Sequence, residues 1–289
     1  MRRFSIYNMA LKLPIKMLVL DLDGTLLNDN KVISMRNKLA LNQLKEKGIY
    51  IVFASGRANS MMRLYQEPYV ACDYHISFNG AMTEDLLKKE ILDLVLLDNE
   101  SSEIIWNFLA KKAATYTAYS ENMMFYKEQS NQLISKKMIN YISLAASENI
   151  ILNPACTKLS SGEIVAPENN QILKFVVYEE DPLWINQFEK FLYKLGRVRT
   201  EATGYGLTGV FAKNVSKERA IRKLCARMEI SEAEVCALGD YDNDLSMFNV
   251  SGVKVAMGNA TEELKKHADY ICPSNNQDGV AHFIEEYII

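Results

Sequence analysis

The chain has 289 residues, of which 48% are hydrophobic, a composition typical of a globular protein rather than a disordered one. At roughly 100 to 200 residues per domain, this length suits two domains. The net charge of −3 and the pI near 5.8 leave no basic surplus to pair with nucleic acid phosphates, so we expect a small-molecule partner and no nucleic acid.

The cysteines and the N-terminal residues indicate the compartment. The five cysteines are odd in number and scattered, with no CxxC spacing for a metal or a redox pair, so we expect free thiols in a reducing cytoplasm. Within residues 1–16, Asn8, Lys12, Pro14 and Lys16 interrupt any apolar stretch. We therefore expect an extension without a signal peptide or membrane span.

The first predicted element is a short apolar strand over residues 17–20 that runs into Asp21-Leu22-Asp23-Gly24-Thr25. Such a run is typical of a strand buried in a parallel sheet, where ligands bind outside the carboxyl ends of the strands. Because side chains two apart on an extended segment point the same way, Asp21 and Asp23 can face one crevice. Close carboxylates repel unless they share a proton or bind a cation, most simply Mg²⁺. An ordinary acidic turn is the alternative.

Two further strands are predicted to end in polar loops. A helix comes first, with Ser34 as its N-cap, Gly48 just past its end and an apolar stripe at helical spacing, Met35, Leu39 and Leu44. A strand over 49–54 then runs into Ser55-Gly56-Arg57, and a weaker strand over 74–78 runs into Asn79-Gly80. Strands that end in such loops would share one functional edge of a doubly wound α/β sheet.

Residues 86–203 break this rhythm and are predicted to form an inserted α+β domain. The pattern favours strands over 92–97, 173–178 and 197–203, helices over 99–113, 132–146 and after Asp181-Pro182, a hairpin over 116–126, and a loop through Pro154 and Pro167. Its aromatic residues are expected to form a core rather than a ligand cage. The predicted domains are therefore a core of 1–85 and 204–289 and an insertion of 86–203.

After residue 203 the alternation of helices and strands resumes. Ser216 is predicted to cap a helix that carries Lys217 at its positive end, a placement that invites an anion. A short strand over 235–238 runs into a second acidic loop, which contains Asp240, Asn243 and Asp244. A strand over 253–257 and an amphipathic helix after Asp278-Gly279 follow.

These loops together supply what phosphoryl transfer needs, which is a nucleophile, a cation and fixed positive groups around the phosphoryl oxygens. Each loop also has an ordinary structural explanation by itself: Ser55 as a turn hydroxyl, Lys217 as a solvated helix residue, Asp240 and Asp244 as helix caps. Their order and their placement after apolar strands favour a common site.

Seven motifs resemble the haloacid dehalogenase superfamily of phosphotransferases. Four correspond to its catalytic motifs: DLDGT at 21–25, ASGR at 54–57, VSK at 215–217 and GDYDND at 239–244. FNGA at 78–81, VAMGNA at 255–260 and SNNQDGVA at 274–281 are similar to its Cof-like hydrolases of class IIB. The resemblance implies a doubly wound parallel-sheet core with an inserted α+β cap domain.

The resemblance also implies a role for each matching residue. Asp21 would be the nucleophile that becomes an aspartyl phosphate, and Asp23 would be the general acid and then the general base. The phosphoryl oxygens would be held by four residues, Ser55, Gly56, Lys217 and Asn243. Mg²⁺ would be bound by Asp21, by Asp23 through its backbone carbonyl and by Asp240, with Asp244 either as a further ligand or as a support for the ligands.

Two positions depart from the family pattern. Glu218 stands where a glycine usually follows the motif lysine, and Gly209 stands where an acidic residue usually precedes that motif. Neither touches the proposed chemistry, although a carboxylate beside Lys217 would tune its affinity for anions.

We therefore predict a cytoplasmic, Mg²⁺-dependent phosphatase of small phosphorylated metabolites, as a monomer or homodimer. Sugar phosphates, pyridoxal phosphate and flavin mononucleotide are all admissible substrates. The alternative enzyme is a phosphomutase. The alternative from another functional class is a regulatory protein that binds a phosphorylated ligand without turnover.

Overall fold

The computed structural model describes residues 12–65, 70, 72–128, 132–147, 149, 155–159, 171–203 and 207–289. The chain forms two compact units, the first made of Met1–Phe53, Glu67–Asp73 and Leu224–Ile289, and the second of Ala54–Gln66 and Tyr74–Lys223. The predicted loop through Pro154 and Pro167, and residues 1–11 of the predicted N-terminal extension, lie outside the described residues. The domain limits at 85/86 and 203/204 stay a prediction.

The secondary structure alternates as predicted at both ends of the chain. The strands described are β1 (Met17–Leu20), β2 (Tyr50–Ala54), β3 (Tyr74–Ser77), β4 (Met82–Asp85), β5 (Glu90–Leu94), β6 (Tyr116–Tyr119), β7 (Met124–Lys127), β8 (Cys156–Lys158), β9 (Lys174–Val177), β10 (Val198–Thr203), β11 (Leu207–Ala212), β12 (Val235–Gly239), β13 (Val253–Ala256) and β14 (Tyr270–Ile271). The α-helices described are α1 (Met35–Glu46), α2 (Asn59–Met62), α3 (Asn99–Lys111), α4 (Leu133–Ser147), α5 (Pro182–Leu195), α6 (Lys217–Met228), α7 (Leu245–Phe248), α8 (Glu262–Lys266) and α9 (Gly279–Tyr287).

The first unit is built on a parallel sheet in the order β14-β13-β12-β1-β2. Leu18 of β1 is in register with Ile51 of β2 on one side and with Cys236 of β12 on the other. All four residues of β1 are fully buried, as a strand covered on both faces requires. The predicted α/β class with a buried parallel strand ahead of Asp21 is confirmed.

Helix α1 forms where the sequence predicts it but buries a different face. The Ser34 side chain accepts a hydrogen bond from the Asn37 N–H at 3.1 Å, which confirms the N-cap. Of the predicted stripe, only Leu44 is buried, whereas Met35 and Leu39 are 68% and 57% exposed. The buried Asn37 accepts a hydrogen bond from the Ala281 N–H of α9 at 2.9 Å, so α9 covers the face that carries Asn37.

The second unit contains a six-stranded sheet in the order β10-β11-β9-β6-β7-β8, antiparallel except between β7 and β8, and the antiparallel strands β3-β4-β5. Trp106 of α3 packs edge-on against Tyr116 and Phe175 with ring centroids 6.0 and 5.7 Å apart, and all three are fully buried. The prediction that aromatic residues form a core is confirmed. Within the described part of the chain, no helix combines the length and apolar character needed to cross a membrane.

Candidate active site

The ends of β1 and β12 bring three aspartates of the first unit together. Asp21 directly follows β1, and Asp240 directly follows β12. Asp244 lies 4 residues beyond Asp240. Carboxylate oxygens of these three residues lie within 4.8 Å of one another. Since β1 and β12 are adjacent and parallel, their carboxyl ends meet at the same edge, and residues more than 200 positions apart become neighbours.

This acidic cluster fits a hard divalent cation. Asp21 and Asp244 are buried, so three carboxylates held this close would repel strongly without a compensating positive charge. Oxygen is the ligand atom that Mg²⁺ prefers, and Mg²⁺ sites commonly use one or two carboxylates beside water and substrate. Asp244 also accepts hydrogen bonds from the backbone N–H groups of Asp240 and Tyr241 at 3.0 and 3.2 Å through one oxygen, Oδ2. These bonds fix its carboxylate within the cluster.

The glycine and threonine of the first motif position Asp240. The Thr25 hydroxyl donates to Asp240 Oδ1 at 2.9 Å. Gly24 has φ +83°, and a Cβ at this position would lie 2.2 Å from Asp240 Oδ2. The Asn259 side chain donates to the Gly24 carbonyl at 2.8 Å, so the VAMGNA motif holds the same turn.

The Asp23 side chain is not part of the three-carboxylate group in the described chain. Its carboxylate forms an ion pair with Lys31 at 2.8 Å, and both side chains are partly exposed. Sequence reasoning missed Lys31, because a lysine eight residues downstream in a polar loop carries no recognisable signal. The ion pair fixes the Asp23 carboxylate on the loop that follows β1.

In the second unit, the Ser55 loop is held by backbone and side-chain hydrogen bonds. The Ser55 N–H donates to the Ile76 carbonyl at 2.8 Å, and the Ser55 carbonyl accepts from the Asn79 N–H at 3.0 Å. The Ser55 hydroxyl oxygen accepts from the Arg57 N–H at 3.2 Å. A Cβ at Gly56 would lie 2.8 Å from Asn79 Oδ1, so this position needs glycine for close packing.

The Asn79-Gly80 turn also contacts the start of α6. Gly80 has φ +99°, and a Cβ there would lie 2.1 Å from the Ser216 carbonyl oxygen. Ser216 accepts from the Arg219 N–H at 3.0 Å, which confirms it as the helix cap. Lys217, the first residue of α6, is only 1% exposed, so it is not a solvated helix residue. The second unit therefore brings Ser55, Gly56 and Lys217 together around the FNGA turn.

Asn243 lies in the acidic loop of the first unit. It is half-buried, and its backbone carbonyl accepts from the Ser246 hydroxyl at 3.0 Å. Two residues that sequence reasoning missed lie beside the Ser55 loop in the second unit. Lys174 Nζ donates to the Gly56 carbonyl at 3.0 Å, and Glu201 accepts from the Asn79 side-chain amide at 2.8 Å. The only sequence signal is a lysine opening the apolar run Lys174-Phe175-Val176-Val177.

A parallel sheet that carries a cluster of aspartates at its strand ends is typical of hydrolases of the haloacid dehalogenase kind. The sequence pattern of the haloacid dehalogenase-like hydrolases matches residues 18–284, and the chain belongs to this family.

Named relatives and solved structures agree with this assignment. The chain is 26% identical over 287 residues to the 5-amino-6-(5-phospho-D-ribitylamino)uracil phosphatase YwtE of Bacillus subtilis, covering 94% of this chain and 98% of the relative. It is similar to the crystal structure of a haloacid dehalogenase-like hydrolase from Bacteroides thetaiotaomicron, with 27% identity, a TM-score of 0.79, and 94% and 98% of the two chains covered. The subclass IIB sugar phosphatase BT4131 shares the fold, with 22% identity, a TM-score of 0.76, and 94% and 98% covered.

These findings confirm three of the predictions. The chain is a Cof-like hydrolase of the haloacid dehalogenase superfamily. Its fold class is α/β, with a doubly wound parallel-sheet core and an inserted α+β cap. It is an enzyme of the phosphatase type, which hydrolyses phosphoric monoesters.

Proposed function

We propose that the chain is a Mg²⁺-dependent phosphatase that hydrolyses small phosphorylated metabolites through an aspartyl phosphate on Asp21. The observation that carries the proposal is the acidic cluster of Asp21, Asp240 and Asp244, at the strand ends where this family places its chemistry. The partner is a small phosphorylated molecule, in keeping with the phosphomonoester named for the YwtE relative.

In the proposed mechanism, Asp21 attacks phosphorus in line and forms the aspartyl phosphate. Asp23 protonates the leaving oxygen and then removes a proton from the water that hydrolyses the intermediate, so one carboxyl group serves as acid and then as base. The Lys31 ion pair holds the Asp23 carboxylate in one orientation, and the partial exposure of Asp23 allows proton exchange with solvent.

The remaining predicted residues bind the phosphoryl group and the metal. Four residues are proposed to hold the phosphoryl oxygens, Ser55, Gly56, Lys217 and Asn243. Mg²⁺ would be held by the carboxylates of Asp21, Asp240 and Asp244 and by the backbone carbonyl of Asp23. When bound, Mg²⁺ would neutralise charge on the nucleophile and phosphate, which otherwise repel each other.

The compartment and the substrate class complete the proposal. All five cysteines are free, which supports a reducing, cytoplasmic environment. Sugar phosphates and similar phosphomonoesters are the proposed substrates, and residues 86–203 are the proposed cap that selects among them.

The test is phosphate release from a panel of phosphorylated metabolites, measured with Mg²⁺ and with excess EDTA. We expect release that requires Mg²⁺ and is abolished in Asp21→Asn, which keeps the side-chain volume but loses the nucleophile. Full activity in EDTA would overturn the metal assignment. A requirement for a sugar bisphosphate, with the phosphoryl group returned to the substrate, would identify a phosphomutase, and binding without release would identify a regulatory protein.

A further inference from the structure

The strongest unexplained feature of the second unit is a buried lysine on β9. Lys174 is 5% exposed, and its Nζ donates to the Gly56 carbonyl at 3.0 Å and lies 5.0 Å from the centre of the Phe211 ring. Burying an ammonium group is costly, and a neutral side chain of similar volume would fill this space without that cost. A lysine retained here is therefore suited to a task other than stability.

The contact with Gly56 leads directly to the Ser55 hydroxyl. A single peptide group joins Gly56 to Arg57 and makes both hydrogen bonds. Its carbonyl accepts from Lys174, and its N–H donates to Ser55 Oγ at 3.2 Å. A positive charge on the carbonyl side polarises this peptide group and strengthens its N–H as a donor. Because Ser55 Oγ accepts that N–H, its own O–H can be donated elsewhere. Lys174 thus makes Ser55 a better oriented and stronger donor toward an anion.

Glu201 on β10 holds the other side of the same loop. Its Oε2 accepts from the Asn79 side-chain amide and from Arg199, each at 2.8 Å. The backbone N–H of Asn79 donates in turn to the Ser55 carbonyl at 3.0 Å. Burial lowers the pKa of Lys174 to about 8, and the negative charge of Glu201 raises it against that effect. Glu201 therefore keeps Lys174 protonated near neutral pH.

Gly209 provides the space for this arrangement. It is directly opposite Glu201 in the β10–β11 pair. A Cβ at Gly209 would lie 2.9 Å from the Phe211 ring and 3.4 Å from Lys174 Cε. The acidic group that the family resemblance leads one to expect at position 209 is absent, and Glu201 supplies a carboxylate from the facing strand.

We propose that Lys174 and Glu201 are positioning residues that orient and polarise the Ser55–Gly56 loop for phosphoryl binding. The inference rests on the proposed phosphatase function. It assigns part of the phosphate-binding apparatus to residues 86–203, which are otherwise expected only to select the substrate. Among the described residues, the charged groups around the Lys174 ammonium are Glu201 and, beyond it, Arg199, both on β10, while β11 contributes the Phe211 ring.

The test uses the full chain with p-nitrophenyl phosphate and Mg²⁺, and kcat and KM are measured from pH 6 to 9.5. The variants are Lys174→Met, Glu201→Gln, Ser55→Ala and the double variant Ser55→Ala/Lys174→Met. The control is Lys137→Met, since Lys137 is an exposed lysine of 86–203 whose Nζ lies 5.0 Å from the centre of another aromatic ring, that of Tyr178.

We expect Lys174→Met to lower kcat by roughly 10- to 100-fold, somewhat less than the loss of a direct donor. Its Tm should equal or exceed the parent's, because a buried charge is removed. The kcat of the parent should decrease above about pH 8. The decrease should be absent in Lys174→Met, and in Glu201→Gln it should begin at a lower pH than in the parent. The losses in Ser55→Ala and Lys174→Met should not add, because both act through one hydroxyl.

Two results would overturn the inference while leaving the phosphatase proposal intact. One is a kcat for Lys174→Met equal to that of the parent. The other is a kcat loss in the double variant that equals the combined losses of Ser55→Ala and Lys174→Met. If Lys174→Met does not fold, the decision rests on the decrease of kcat at alkaline pH in the parent and in Glu201→Gln. A decrease that begins at the same pH in both proteins counts against the inference. A parent without activity on any phosphomonoester would overturn the proposed function itself. Lys137→Met should match the parent throughout.

Discussion

Gly24 controls the geometry of the acidic cluster through two properties that can be separated by mutation. Its φ of +83° disfavours any side chain, and a Cβ would collide with Asp240 Oδ2. Gly48 has a similar φ of +75°, but apart from its chain neighbours no atom of the described residues lies within 4 Å of a Cβ built there. Alanine at either site carries the same backbone strain, and only at Gly24 does it displace a proposed metal ligand.

We predict that Gly24→Ala and Gly48→Ala each lose about 1 kcal/mol of stability from left-handed backbone strain. Gly24→Ala should in addition require at least about tenfold more Mg²⁺ for half-maximal phosphatase activity, since ~1.4 kcal/mol of lost binding is tenfold. Thermal unfolding and Mg²⁺ titration of activity measure the two effects. Equal Mg²⁺ requirements in the two variants would mean that Gly24 does not position Asp240.

In the first chemical step, Asp23 is predicted to act on the leaving group rather than on phosphorus. Asp23→Asn should slow hydrolysis of an alkyl phosphate far more than that of p-nitrophenyl phosphate, whose leaving group needs no proton. The measurement is kcat on both substrates for parent and variant. A comparable loss on the two substrates would argue against Asp23 as the general acid.

A site residue can be predicted from the sequence when the pattern that marks it lies within a few positions along the chain. Asp21 and Asp240 each follow an apolar strand, and that pattern is visible within a few positions. Lys174 and Glu201 belong to strands in which nothing nearby marks a polar role. Their significance arises from contacts with Gly56 and Asn79, which are 118 and 122 positions away.

Strand β3 contains a histidine whose ionisation couples folding to acidity. His75 is fully buried, and burial, with a smaller effect of the Arg63 charge, lowers its pKa to about 3. The unfolded chain, with a pKa near 6.5, binds a proton below that pH while the folded chain does not. The contribution of His75 to stability is therefore complete above pH 6.5 and is lost progressively as the pH falls toward 3.

We predict that His75→Asn flattens the dependence of unfolding free energy on pH between 6.5 and 4. The change in slope should approach one proton, about 1.4 kcal/mol per pH unit. Urea unfolding of parent and variant at several pH values measures it, and the absolute stability at pH 7 does not enter the comparison. Parallel slopes would show that His75 is protonated in the folded state.

Whole elements were predicted well where one pattern dominates and less well where tertiary packing decides. The predicted strand over 92–97 occupies Glu90–Leu94 instead, because pairing with β4 sets its limits. Strand β11 escaped prediction, since Gly209 interrupts a short apolar run and only its pairing with β9 and β10 defines it. For α1, the contact of Asn37 with α9 determined the buried face.

For the molecule as a whole, the proposed metal site leads us to expect that stability depends on Mg²⁺. Asp21 and Asp240 are neighbours only in the folded chain, so a bound ion stabilises the folded state by mass action, about 2.7 kcal/mol at a concentration 100 times Kd. We predict that millimolar Mg²⁺ raises the Tm of the parent and that Asp240→Asn removes most of this rise. An identical rise in the variant would place the ion elsewhere.

The central position of β1 has a consequence for synthesis on the ribosome. Strand β1 hydrogen-bonds to β2, made soon after it, and to β12, which follows some two hundred residues later. At ~5 to 20 residues per second, the nascent chain would wait roughly 10 to 40 s with one edge of a fully apolar strand unpaired. Such an edge is a template for wrong pairing. We therefore expect the growing chain to need a chaperone over this interval, and a translation stall before Val235 to yield aggregated rather than partly active enzyme.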